Sequence, residues 1–206
     1  MNSPTPFYEA MKKSLLEAKT LVDGVNPLEC ADDLQHLKLQ GYILIVHSIF
    51  EEYLEKLCQE SAMVARKALR DEGQITKALV ALIATSVVDK ISDKARKKVA
   101  VDLATNLEVF SMEAANSFHT VIKNNHGITT ADQQNILLPL GIDLETLDLG
   151  LSQNLHSFGR KRGSVAHSFK LQREDTLSDV ESRIENIVRD LALLDSEGCN
   201  VCKALA

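Results

Sequence analysis

GYILIVHSIFEEYLEKL, residues 41–57, places Ile43, Val46, Phe50, Leu54 and Leu57 at steps of three or four with charged residues between them. That is the period of one buried face of an α-helix; a half-buried strand would alternate residue by residue. Read outward, the apolar row predicts a long helix from about Asp33 towards Gly73, and so long a run leaves room for a break within it.

The same period recurs along the chain. Phe7, Met11, Leu15, Ala18 and Val22 define a first helix after Pro4 and Pro6, ending near Gly24. Ile75, Leu79, Leu82 and Ile83 give a shorter one, and Val99 through Val121 another long one ending between Asn124 and Gly127. After Thr129 and Thr130 a short helix reaches Leu138, is interrupted at Pro139 and Gly141, and is followed by a further short helix towards Phe158. Thr176 or Ser178 caps a last helix, with Asp179 or Glu181 three residues on and Leu177, Val180, Ile184, Ile187, Leu191 and Leu194 as its stripe. Strand-like alternation is missing, so the fold class is all-α: a bundle of long antiparallel helices with short connections.

Composition narrows the function. A 206-residue chain with 45% hydrophobic residues is large enough for a full core and is expected to form one domain. A formal charge of −6 excludes a general nucleic-acid coat, so any RNA site is local. The first residues lack the apolar core of a signal peptide and no segment has about 18 apolar residues without charge, so a cytoplasmic protein without a membrane span is expected. Cys30, Cys58, Cys199 and Cys202 are too scattered for a disulfide framework. The Cys199/Cys202 pair lacks the two further ligands of a zinc site and reads as part of a frayed C-terminal tail. No phosphate loop, nucleophile elbow or zinc-protease motif is present, and no cofactor or metal is expected.

Positive charge concentrates in FGRKRGSVAHSF, residues 158–169, where Arg162 precedes His167 by five positions beside Arg160, Lys161, Lys170 and Arg173. Arginine grips a phosphate and neutral imidazole moves protons near pH 7. With eight arginines and six histidines, chance alone gives about 0.7 pairs at such a spacing. The weight lies in the context: no acid stands among the basic residues from Arg160 to Arg173, and Gly163, Ser164 and Ala166 leave room for a phosphate. Ser164 and Ser168 are read either as phosphate contacts or as helix caps, and Arg160 and Lys161 either as phosphate contacts or as an exposed basic turn. On one regular helix five residues turn side chains by about 140°, so Arg162 and His167 converge only if the segment bends at Gly163 or a dimer assembles the site. The cluster Lys90, Lys94, Arg96, Lys97 and Lys98, interrupted by Asp89 and Asp93, reads either as an extension of an RNA track or, more usually, as a wet helix face, and is left outside the site. His36, His47, His119, His126 and His156 have no partners at metal-ligand spacing.

Residues 135–169, NILLPLGIDLETLDLGLSQNLHSFGRKRGSVAHSF, resemble the C-terminal half of HEPN domains, in the branch called RiboL-PSP-HEPN. Arg162, Val165, Ala166 and His167 occupy the places of that branch's arginine, isoleucine, alanine and histidine, and Gly163 stands where an asparagine is usual. Residues 41–57 resemble the early core helix, with Glu51 at a position often acidic and Tyr53 as the following aromatic. The resemblance implies one HEPN-like domain over residues 1–206, with a core of about 31–194, an N-terminal helix 7–22 packed on it and a tail 196–206. It implies a homodimer with a composite site and metal-independent endoribonuclease activity, in which Arg162 and His167 are catalytic. Arg160, Lys161, Ser164, Ser168 and Lys170 would hold RNA, and Glu51 would either tune the site across the bundle or be a solvated surface residue of its helix. It further implies a toxin–antitoxin or antiviral-defence setting, with an antitoxin as a partner. Two other readings stand beside the enzyme: a binding module that holds RNA or an acidic partner without turnover, which Gly163 keeps open, and a structural helical partner.

Overall fold

The computed structural model describes residues 1–88, 101–103, 105–167 and 173–205, with positions 87, 88, 166 and 167 described by their backbone. Its organising element is one unbroken helix of 40 residues, Asp33–Glu72, which at 1.5 Å per residue spans about 60 Å. No break occurs, because the buried row never loses step: Leu39, Ile43, Val46, Phe50, Leu54, Leu57 and Ala65 all lie in the core. Asp32 caps its start by accepting from the Gln35 amide at 2.8 Å. Gly73, at φ 66°, ends it; its amide donates to the Leu69 carbonyl at 2.9 Å while the Gln74 amide donates to Ala68 at 3.1 Å, closing the left-handed cap that glycine adopts without a Cβ penalty.

The helices in order are α1 (Pro6–Lys19), continued by a 3₁₀ turn Thr20–Val22, α2 (Asp33–Glu72), α3 (Lys77–Val88), α4 (Leu107–Lys123), α5 (Thr130–Leu137), continued by a 3₁₀ turn Leu138–Leu140, α6 (Leu144–Leu147), α7 (Leu149–His167) and α8 (Leu177–Asn200). Among the described residues there is no strand, only a single bridge between Thr76 and Ala204. Helices α1, α3, α4, α7 and α8 all pack on α2. The long helix expected from Val99 is interrupted: residues 101–103 and 105 are helical, but Asn106 leaves helical geometry (ψ 38°) and α4 begins after it.

Two joints deserve their physical cause. Pro6 opens α1 behind Thr5, whose hydroxyl accepts from the Tyr8 amide at 3.2 Å. Thr5 and Ser3 in turn donate to the fully buried Asp195 of α8, which also accepts from Tyr53 Oη at 3.2 Å. A buried carboxylate with this many donors is satisfied, and it ties both ends of the chain to α2. The second joint corrects the frayed tail. Residues 196–200 continue α8, Val201 and Cys202 are buried, and the Ala78 and Leu205 amides donate to Val201 and Ile75 carbonyls at 2.9 and 2.8 Å. The tail is ordered because Val201 fills the core beside α3 and its backbone finds partners there. Cys199 and Cys202 are free thiols raised by burial, and Cys202 Sγ donates to the Ser61 carbonyl at 3.5 Å.

Candidate functional site

The site is assembled where α7 crosses α2. Leu151, Leu155, Phe158 and Val165 are the buried apolar side chains among the described residues of α7, and the Phe158 ring meets Phe50 of α2 edge-on, with centroids 5.7 Å apart. Such a pair adds about 0.5–1.5 kcal/mol beyond area burial. From the other side α5 is sewn to α7: Ser152 Oγ donates to Gln133 Oε1 at 2.7 Å, Gln133 Nε2 donates to the carbonyls of Ile128 and Ser152 at 2.8 and 3.1 Å, and His156 Nδ1 accepts from the Thr130 amide at 3.1 Å. Gly159 permits the close approach, since a Cβ there would stand 3.1 Å from Ile128 Cγ1 and 3.4 Å from the Thr129 amide nitrogen.

One turn beyond Phe158, this framework carries Arg162 to a polar group that the rest of the bundle encloses. His47 is 1% exposed, and its Nδ1 lies 3.6 Å from Glu51 Oε2, too far for a hydrogen bond; that nitrogen has no partner among the described residues. Burial first, and then the Arg162 charge, lower its pKa to about 4, against the opposing pull of Asp132. His47 is therefore neutral at pH 7. Glu51 is raised above the ordinary carboxyl value, first by burial and next by Glu55, while Arg162 and His126 pull it down. Asp132 is fixed by a capping box, accepting from the Thr129 amide and hydroxyl at 2.8 and 2.7 Å. Among the described residues no carboxylate lies within 4 Å of Arg162. Its charge acts on these groups at the α2–α7 crossing.

The other sequence-predicted residues fall in different places. Lys161 pairs with Asp175, which also lies 3.8 Å from Arg183 Nη1, so its ammonium ties α7 to the approach of α8. Arg160 and Ser164 are exposed on α7. Arg173 pairs with Asp33 at 2.8 Å. Ser168 and Lys170, like the Lys90–Lys98 cluster, lie outside the described residues, and at His167 the description stops at a helical backbone. Two expectations about the segment change. Arg160, Lys161 and Arg162 form no turn after Phe158, and the helix is not interrupted at Gly163, because α7 continues unbroken to position 167. Buried Val165 and the Lys161–Asp175 pair hold the last turns in place. Position 167 is thus turned about 140° round α7 from Arg162. Ser164, in mid-helix, is not at a helix start.

The sequence reading missed His47, His126 and Asp132. His47 stands four residues before Glu51 on one helix face, and that spacing, beside the apolar row, was the available signal; Asp132 was signalled by the capping pattern Thr129 to Asp132. Among the described residues no group of three His, Cys, Asp or Glu side chains is arranged to hold a metal ion, and no helix is long and apolar enough to cross a membrane.

The all-helical bundle is that of a HEPN-type domain, a class associated with nuclease and RNA-related function. The family model described as RiboL-PSP-HEPN matches residues 9–199, and the chain belongs to that family. No curated protein and no solved structure matches it.

Proposed function

We propose that the protein is a metal-independent endoribonuclease acting as a homodimer. The observation that carries this reading is the placement of Arg162 by α7 against buried His47 and Glu51, with no described carboxylate within 4 Å to neutralise it. An RNA 2'-oxygen is an internal nucleophile already held beside its phosphorus, so the protein needs to move two protons and stabilise one anion. One His167 imidazole takes the 2'-hydroxyl proton as the 2'-oxygen bonds to phosphorus. The P–O5' bond breaks, and an imidazolium returns a proton to the leaving 5'-oxygen. The products are a 2',3'-cyclic phosphate and a 5'-hydroxyl. Arg162 faces the charge that accumulates on the phosphorane oxygens, and a preorganised donor of this kind contributes about 10²–10³-fold. Arg160, Ser164, Ser168 and Lys170 are the further RNA contacts in this reading. Lys161 contributes by holding α7.

The unbroken run of α7 favours assembly across two copies. With about 140° between positions 162 and 167, a dimer in which each protomer supplies the arginine for the other's histidine satisfies both. A toxin or antiviral-defence effector, held in check by an antitoxin, is the setting that suits such an activity. The test is cleavage of labelled RNA in excess chelator by the parent protein, Arg162→Ala and His167→Ala. Each substitution is expected to lower the rate by about 10²–10⁴-fold; salt-sensitive binding without product in the parent protein would instead indicate a binding module.

A further inference from the structure

A second segment of α2 carries cations with no acid among them: SAMVARKALR, residues 61–70, contains Arg66, Lys67 and Arg70. In the fold it forms one wall of an open groove of about 440 Å³, opposite the C-terminal half of α4, which contributes His119. The floor is apolar, with buried Phe118 and Ile122 and with Met63 left 57% exposed. Glu60 is the carboxylate that lines the groove. Arg70 shares its guanidinium with Asp71 at 2.7 and 3.1 Å, so Arg66 and Lys67 are the cations most available to a ligand.

Along α2 the groove begins two turns beyond Glu51. Asn125 Nδ2 donates to Glu55 Oε1 at 3.2 Å and clamps the end of α4 onto α2; Glu51 lies one turn of α2 before that clamp and Gln59, at the mouth of the groove, one turn after it. From Glu51 to Arg70 the helix advances about 28 Å, the reach of several nucleotides. A cationic rim over an apolar floor suits a chain that carries both regular negative charge and flat apolar faces, which single-stranded nucleic acid does. An acidic peptide would meet the rim but offers no planar faces to cover Met63.

We propose that the groove between α2 and α4 is a track for single-stranded RNA leading away from Arg162, with Arg66 and Lys67 on its phosphates and Met63 under its bases. The choice of RNA rests on the ribonuclease reading, but its test does not depend on cleavage. Binding of labelled oligouridylates of about 3 and about 12 nucleotides to full-length His167→Ala protein is followed by fluorescence anisotropy. The longer strand is expected to bind at least about tenfold tighter, and Arg66→Gln with Lys67→Gln to remove that gain while leaving the short strand unaffected. The slope of log affinity against log salt should become shallower by about 1.4, at about 0.7 per lost phosphate contact, and Arg66→Lys with Lys67→Arg should preserve both. Glutamine keeps the helix. The proposal is overturned if the parent shows no gain with length, if the glutamine pair leaves the gain intact, or if polyglutamate displaces the long strand as well as unlabelled RNA does. A groove-dependent length effect in a protein that never cuts RNA would leave the track standing and remove the nuclease.

Discussion

At the scale of single residues, His47 has the clearest consequence. Its folded pKa of about 4 lies below the ordinary 6.5, so between those values the unfolded chain binds the proton that the folded chain refuses. Stability rises with pH wherever the unfolded state holds more protons; His47 therefore contributes stability at neutral pH that is lost as pH falls from about 6.5 towards 4. Denaturant midpoints measured across that range should fall on acidification and fall less steeply in His47→Leu. Gly163 makes the opposite kind of prediction. Apart from its chain neighbours and its own helix backbone, no atom of the described residues lies within 4 Å of where its Cβ would be, and its φ is not positive. Gly163→Ala should raise stability by about 0.5–1 kcal/mol by limiting the unfolded chain.

Among the helices, the legible and the hidden separate for physical reasons. The stripes of α2 and α8 were legible because a long helix on a core must repeat its apolar residues every three or four positions, and every stripe residue expected of α8 is buried. The end of α7 was not legible. Two glycines and three charged residues after Phe158 read locally as a turn, but tertiary contacts decide otherwise: Val165 is buried and Lys161 is paired with Asp175 across to the approach of α8. The tail misled in the same way, since Gly198 has no side chain to announce that it lies against a core residue. A Cβ on Gly198 would stand 2.8 Å from Leu57 Cδ1. Gly198→Ala should cost about 1–3 kcal/mol by overpacking, read as a lowered denaturation midpoint. Phe158→Ala opens the α2–α7 crossing and should cost about 3–5 kcal/mol.

For the molecule as a whole, the Arg162 charge acts on both His47 and Glu51, and Asp132 acts on them as well, because α2, α5 and α7 pack together around one spot. If that spot is completed by a second copy, mixing Arg162→Ala with His167→Ala protein should restore part of the RNA cleavage that each lacks alone. Activity of the unmodified protein should fall below about pH 6 as imidazole protonates, and a flat profile would count against His167 as the base. The most direct measurement is the chemistry of the cut ends: unmodified protein, with RNA and excess chelator, followed by mass spectrometry of the fragments. The expected fragments carry 2',3'-cyclic phosphate and 5'-hydroxyl termini and vanish in His167→Ala; the same termini at an unchanged rate in that variant, or no cut at all by the parent, would overturn the ribonuclease reading.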